Sequence, residues 1–232
     1  MSEKLIIALD VTTLREALAL ARQLRGVITT VKVGSALFTA EGPQAIVRLR
    51  RLGFEVMLDL KFFDIPSTVE LSCRAAVRHR ARLITIHASG DPAMLSAAVR
   101  GIHAEARRRR IARPQLLGVT VLTSVRRSTS SSIKRRVMRL AATAVAAGCD
   151  GVVASAQEAA LLRARFGRRL KIACPGIRPR SASRGDQQRV MSPSEALAAG
   201  ADWLIVGRPI TGAANPRRAA VQLLQAMEEN AC

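Results

Sequence analysis

The chain has 232 residues, 49% of them hydrophobic, enough for one large domain with a buried core. No apolar run approaches the ~20 residues of a membrane span, and the Met1-Ser2-Glu3-Lys4 start has no secretory pattern, so a cytoplasmic protein is expected. The net charge of +20 suggests nucleic acid, but aromatics are only 3% with no Tyr, so there is little to stack on bases, and an arginine bias on solvated faces is the preferred reading.

Short apolar runs alternate with longer amphipathic ones. A strand-like run at 5–9 precedes a helix-like stretch at 12–25, which Thr12 or Thr13 can cap. A strand at 27–33 leads to a helix at 42–52, with Pro43 in its first turn. A strand at 54–58 is followed by a helix at 66–80 that starts on Pro66, and a strand at 83–87 by a helix at 92–110 after Asp91-Pro92. Strands at 116–121, 151–154, 170–173 and 203–206 precede helices at 133–147, 156–166, 192–199 and 213–229. Gly26, Gly53, Gly148 and Gly200 follow periodic runs, as helix C-terminal caps do. Eight β-α units in one chain of this length predict an α/β fold, a single-domain (β/α)₈ TIM barrel over 1–232, in preference to a doubly wound open sheet.

Residues at the carboxyl ends of barrel strands converge. Here they are Asp10, Lys32, Asp59 with Lys61, His87, Thr123, Arg178 and Arg208. Asp59 and Lys61 are two apart, so on an extended backbone they point the same way; Asp64 follows where the strand has turned into a loop. A lysine held between carboxylates stays protonated and is a proton donor of fixed position. Only five lysines stand among 37 basic residues, and arginine does not readily give up a proton. Gly207 and Arg208 after the eighth strand, with Gly176 and Arg178 after the seventh, suit a phosphate. The irregular stretch 175–189 fits a lid over an anionic ligand; a second irregular stretch, 123–132, is rich in serine. His87 reads as a structural histidine. Cys73, Cys149, Cys174 and Cys232 show no CxxC spacing and read as scattered thiols in a reducing compartment; no metal cluster stands out.

These residues resemble orotidine 5′-phosphate decarboxylase. The matching pieces are Ile7-Ala8-Leu9-Asp10, Val31-Lys32-Val33-Gly34, Asp59-Leu60-Lys61-Phe62-Phe63-Asp64-Ile65-Pro66, Val119-Thr120-Val121-Leu122-Thr123-Ser124, Pro175-Gly176-Ile177-Arg178, Asp186-Gln187 and Val206-Gly207-Arg208-Pro209-Ile210. They come in family order across nearly the whole chain. The resemblance implies cofactor-free decarboxylation of orotidine 5′-phosphate to UMP by a homodimer. By motif match Lys61 is the proton donor to C6, Asp59 lies against the departing carboxylate, Lys32 bridges Asp59 and the ribose, and Asp10 binds ribose. Asp64, with Ile65 and Thr68, reaches the partner subunit's site. Thr123 contacts the pyrimidine, while Arg178, Gln187, Gly207 and Arg208 serve the lid and the phosphate.

The alternative is the magnesium-dependent hexulose-phosphate synthase group, whose DxKxxD element is similar. Those enzymes resemble one another in Glu-(Val/Ile)-Gly at the second strand end and Asp-Gly-Gly after the third. This chain has Lys32-Val33-Gly34 and Asp64-Ile65-Pro66 instead, and a lysine there opposes a metal.

Overall fold

The structure, a computed structural model, describes residues 1–123, 130–178 and 191–228. The elements alternate: β1 (Leu5–Ala8), α1 (Leu14–Leu24), β2 (Thr30–Gly34), α2 (Ser35–Glu41), α3 (Gln44–Arg51), β3 (Glu55–Phe62), α4 (Pro66–Arg78), β4 (Leu83–His87) and α5 (Pro92–Arg109). They continue with β5 (Gln115–Val119), α6 (Ser130–Ala146), β6 (Gly151–Val153), α7 (Ala156–Phe166), β7 (Lys171–Cys174), α8 (Pro193–Ala198), β8 (Trp203–Val206), α9 (Arg208–Thr211) and α10 (Pro216–Glu228). All eight strands are parallel, and β1 pairs with both β2 and β8, closing the expected (β/α)₈ barrel.

The strands are apolar on both faces because both faces are covered. In β1 the side chains of Ile6 and Ala8 point into the barrel, where they pack with Met57, Leu117, Val153, Ala173 and Ile205. Leu5 and Ile7 point out, into the layer shared with the helices. Thr13 caps α1 by accepting from the Glu16 N–H, Asp91 caps α5, and Ser192 with Glu195 forms a capping box on α8. Part of the arginine load has a local cause. Arg22 in α1, Arg48, Arg50 and Arg51 in α3, Arg78 in α4, Arg107, Arg108 and Arg109 in α5, and Arg163 and Arg165 in α7 all lie in last turns, where they complement the negative helix end.

Two departures from expectation bear on the site. β3 runs on to Phe62 rather than stopping at Leu58, and its pairing with β4 slips: Leu58 faces Ile84, but Phe62 faces Ile86. Four steps along β3 thus match two along β4, a bulge that lifts Asp59 to Lys61 out of the regular ladder. Lys61 itself is in the left-handed region, with φ 51°. β2 starts at Thr30, three residues later than expected.

Candidate active site

The carboxyl ends of the strands surround a cavity of about 500 Å³. Its wall includes Asp10, Lys32, Asp59, Lys61, Thr123, Arg178, Gly207 and Arg208, so eight of the residues singled out from sequence meet there.

On one side the charges form a row across β1, β2 and β3. Lys32 Nζ lies 3.0 Å from Asp10 Oδ1 and 3.3 Å from Asp59 Oδ2; Lys61 Nζ lies 2.9 Å from the same Asp59 oxygen. The order is therefore Asp10, Lys32, Asp59, Lys61. The register explains it: Lys32 sits between Ala8 on β1 and Met57 on β3, and the short Ala8 side chain leaves space for the lysine stem. Gly34 follows two residues later, where a Cβ would come within 3.1 Å of both Asp10 Oδ1 and Lys32 Nζ. The glycine keeps that bridge uncrowded.

Here one sequence expectation changes. The lysine held between two carboxylates is Lys32; among the described residues of one chain Lys61 is paired with Asp59 alone. The bulge turns Lys61 away from Asp10, while its ammonium remains about one-third exposed, 34% against 9% for Lys32.

Burial opposes the charge on Lys32, but attraction to Asp59 and Asp10 and hydrogen bonds to both outweigh it and hold the ammonium above its ordinary pKa. Burial likewise opposes the Asp59 carboxylate. The charges of Lys32 and Lys61, with hydrogen bonds from Lys61 and Thr85, overcome that and hold it below the usual carboxylate value.

Sequence reasoning missed Thr85. Its side chain is fully buried, yet its hydroxyl donates to Asp59 Oδ1 at 2.9 Å and accepts from the Lys61 N–H at 3.0 Å. One side chain on β4 thus satisfies the backbone freed by the bulge and orients the acid beside it. The available signal was a lone hydroxyl in the apolar run Leu83-Ile84-Thr85-Ile86.

Across the barrel, β7 and β8 supply the second half. Gly176, Arg178, Gly207 and Arg208 line the cavity. Burial and the nearby Arg208 lower the pKa of Arg178, and its Nε is buried without a hydrogen-bond partner. A pair of guanidinium groups this near to one another is suited to an anion between them. A Cβ on Gly207 would contact Ala8 and Asp10 at 3.6 and 3.7 Å, so the glycine leaves that part of the floor open. The Arg178 N–H donates to the Met191 carbonyl, and Ile177 bridges Met191, tying together the two ends of the segment between them. Gln187 and most of the expected lid lie outside the described residues, as does Ser124 with the serine-rich stretch up to residue 129.

Asp64, Ile65 and Thr68 are not brought to the cavity. All three are exposed at the start of α4, and Asp64 Oδ1 accepts from the Ile65 N–H at 2.6 Å. Around them stand Phe63, Ile65 and Leu71, exposed by 61%, 63% and 66%. His87 stays out of the cavity wall; its ring meets the edge of Phe63 at 5.7 Å, and burial together with the charge of Lys61 lowers its pKa. Among the described residues no three His, Cys, Asp or Glu side chains converge as a metal cluster requires. Cys73, Cys149 and Cys174 are free and buried, and burial pushes each thiol up to about 12.

Comparison with known proteins agrees with this geometry. Residues 3–223 match the model of the "Orotidine 5'-phosphate decarboxylase / HUMPS family". An orotidine 5′-phosphate decarboxylase of Vibrio cholerae is 42% identical over 219 residues, covering 92% of this chain and 93% of that protein. One from Halorhodospira halophila is 45% identical over 226 residues, covering 95% and 94%. Among solved structures, orotidine 5′-phosphate decarboxylase from Lactobacillus acidophilus superposes with a TM-score of 0.83 at 30% identity, covering 97% of this chain and 99% of that one. With a matching barrel, a matching family model over nearly its whole length and relatives above 40% identity, the chain belongs to the orotidine 5′-phosphate decarboxylase / HUMPS family.

Proposed function

We infer that the chain, acting as one barrel domain over 1–232, decarboxylates orotidine 5′-phosphate to UMP without a cofactor, the last step of de novo pyrimidine synthesis. One observation carries the reading. The Lys61 ammonium is fixed 2.9 Å from Asp59, in a cavity whose opposite wall presents Arg178 and Arg208. That arrangement supports a proton donor at one end and an anion site at the other.

The chemistry follows from the charges. The bond from C6 to the carboxylate breaks, carbon dioxide leaves, and the electron pair remains on C6. This carbanion has no ordinary electron sink, so fixed charge must stabilise it. Lys61 Nζ supplies that charge and then its proton, which returns from water at the partly exposed amine. Asp59 lies against the substrate carboxylate and disfavours it before it leaves. Lys32 and Asp10 take the ribose, Thr123 the pyrimidine, and Arg178, Gly207 and Arg208, with Gln187, the phosphate. Binding energy at the phosphate supports the transition state at a distance. Asp59 is already engaged by two ammonium groups, which argues against the magnesium-dependent alternative.

The enzyme works as a homodimer in which Asp64, Ile65 and Thr68 complete the partner subunit's site. The exposed apolar group Phe63, Ile65 and Leu71 beside Asp64 supports this. The free buried thiols support a reducing, cytoplasmic setting. The scarcity of aromatics speaks against a nucleic-acid partner.

The test is loss of ultraviolet absorbance as orotidine 5′-phosphate is consumed, with and without EDTA. Turnover that survives EDTA and vanishes in Lys61→Ala is expected. Turnover that EDTA abolishes returns the magnesium-dependent reading.

A further inference from the structure

A second cavity, of about 360 Å³, lies at the opposite, amino-terminal mouth of the barrel. Its walls come from the starts of three neighbouring strands and the loops that feed them: Glu55 opens β3, Arg82 precedes β4, and Arg113-Pro114 precede β5. Four arginines line it, Arg50, Arg80, Arg82 and Arg113, against a single acidic residue, Glu55.

Two of these arginines have evident structural work. Arg113 forms a two-pronged ion pair with Asp150, at 2.8 and 2.6 Å, and Arg50 caps the chain after α4 by donating to the Arg80 carbonyl. The other two do not. The Arg80 side chain makes no hydrogen bond or ion pair with any described residue, and Arg82 has only a long contact to Gln115 at 3.4 Å. Arg82 stands three residues beyond the α4 C-cap His79, so complementing that helix end does not account for it. Arg80 follows the α4 C-cap at φ 62°, and its N–H and that of Ala81 donate to the Val77 and Ala76 carbonyls, which ends the helix. Val77, Ala81 and Pro114 form a buried apolar base beneath the charges.

We propose that this cleft binds an oligophosphate group. Forked guanidinium donors match phosphate oxygens two at a time, and several from one cleft favour a ligand with several adjacent anionic groups. No aromatic ring lines the cleft, so recognition is centred on the phosphates, whether free or carried by a nucleotide. The site is separate from the strand-end cavity and independent of the decarboxylase reading.

The experiment is isothermal titration of the whole protein with sodium tripolyphosphate and, in a parallel arm, with ATP, at about 150 mM salt to screen diffuse attraction. With the strand-end cavity filled by saturating UMP, one further saturable site per chain is expected. Arg82→Ala and Arg80→Gly should each weaken it at least about tenfold, the loss of a charge-assisted contact, with decarboxylation unchanged. The glycine variant suits the backbone at residue 80, so misfolding does not obscure the result. Arg208→Ala, at the other mouth, and Arg135→Ala, on the exposed surface of α6, should leave binding within about twofold. Equal affinity for the two ligands assigns free oligophosphate; tighter ATP binding assigns a nucleotide. Binding that survives both pocket variants, disappears with Arg208→Ala, or weakens equally with Arg135→Ala overturns the proposal, as does no binding at all.

Discussion

Thr85 and Lys61 are joined across two strands by a hydrogen bond from the lysine's backbone N–H to the threonine's buried hydroxyl, at 3.0 Å. The same hydroxyl donates to Asp59. Thr85→Val keeps the shape but removes both bonds, and each stranded polar group costs about 1–3 kcal/mol. We expect a lower melting temperature and a fall in kcat of about 10–100-fold, because a misplaced ammonium no longer meets the reacting carbon. KM should move little, since Thr85 is off the cavity wall. Thr85→Ser should recover most of the rate. Equal losses in the valine and serine variants would mean that the hydroxyl is not what matters.

Lys61 is the residue whose loss should be most severe for catalysis and least for folding. Its ammonium is partly exposed, and no buried charge depends on it alone, because Lys32 also pairs Asp59. Lys61→Ala and Lys61→Arg should both lose about 10²–10⁴-fold or more in turnover, the range of a positioned general acid. Arginine keeps the charge but not the transferable proton. Comparable turnover in the arginine variant would show that charge alone suffices.

The charged row has a defined pH window. Asp59 has a depressed pKa, so its contribution to stability is present above its ordinary value of 3.8 and is lost as pH falls through the folded value below that. Lys32 has a raised pKa, so its contribution is present below 10.5 and is lost as pH rises through the folded value above that. Between about pH 5 and 9 neither changes charge, and their contribution should be flat. Carbon-13 detection of the Asp59 carboxyl should place its midpoint below the ordinary 3.8. A midpoint above that value would contradict the assigned balance of burial and charge.

The proposed sharing of sites between subunits predicts complementation. Lys61→Ala and Asp64→Ala should each be inactive as homodimers. Mixed and allowed to exchange, they form hybrids with one site carrying both lesions and one carrying neither, so activity should return to about a quarter of wild type. Failure to recover activity while hybrids are seen by native mass spectrometry would place both residues in one chain's site. Ile65→Asp should shift the protein to monomer in sedimentation.

The barrel was readable because strands buried on both faces leave uninterrupted apolar runs, as in Leu5 to Leu9 and Leu204 to Val206. Reading failed where the ladder is irregular. Asp59 and Lys61 read as strand-end residues on an extended backbone, yet they lie inside a bulge of β3, and nothing in periodicity signals left-handed backbone at a lysine. α2 and α9 were not anticipated, since seven and four residues are too few to show helical repetition. Within the site, Asp10, Lys32, Asp59, Arg178 and Arg208 were found as charges at strand ends. Which lysine sits between which acids required the pairing of β1, β2 and β3. Thr85 was hidden because a threonine in a strand is ordinary by propensity.

Cys73, Cys149 and Cys174, each walled off and hard to ionise, turn the folded barrel into its own clock. A maleimide cannot reach them until the layer between sheet and helices parts, so in a Cys232→Ser background their alkylation rate reads out how often the protein opens. Mass shifts of one, two or three adducts at early times would then tell whether that opening is piecemeal or takes the whole cylinder at once.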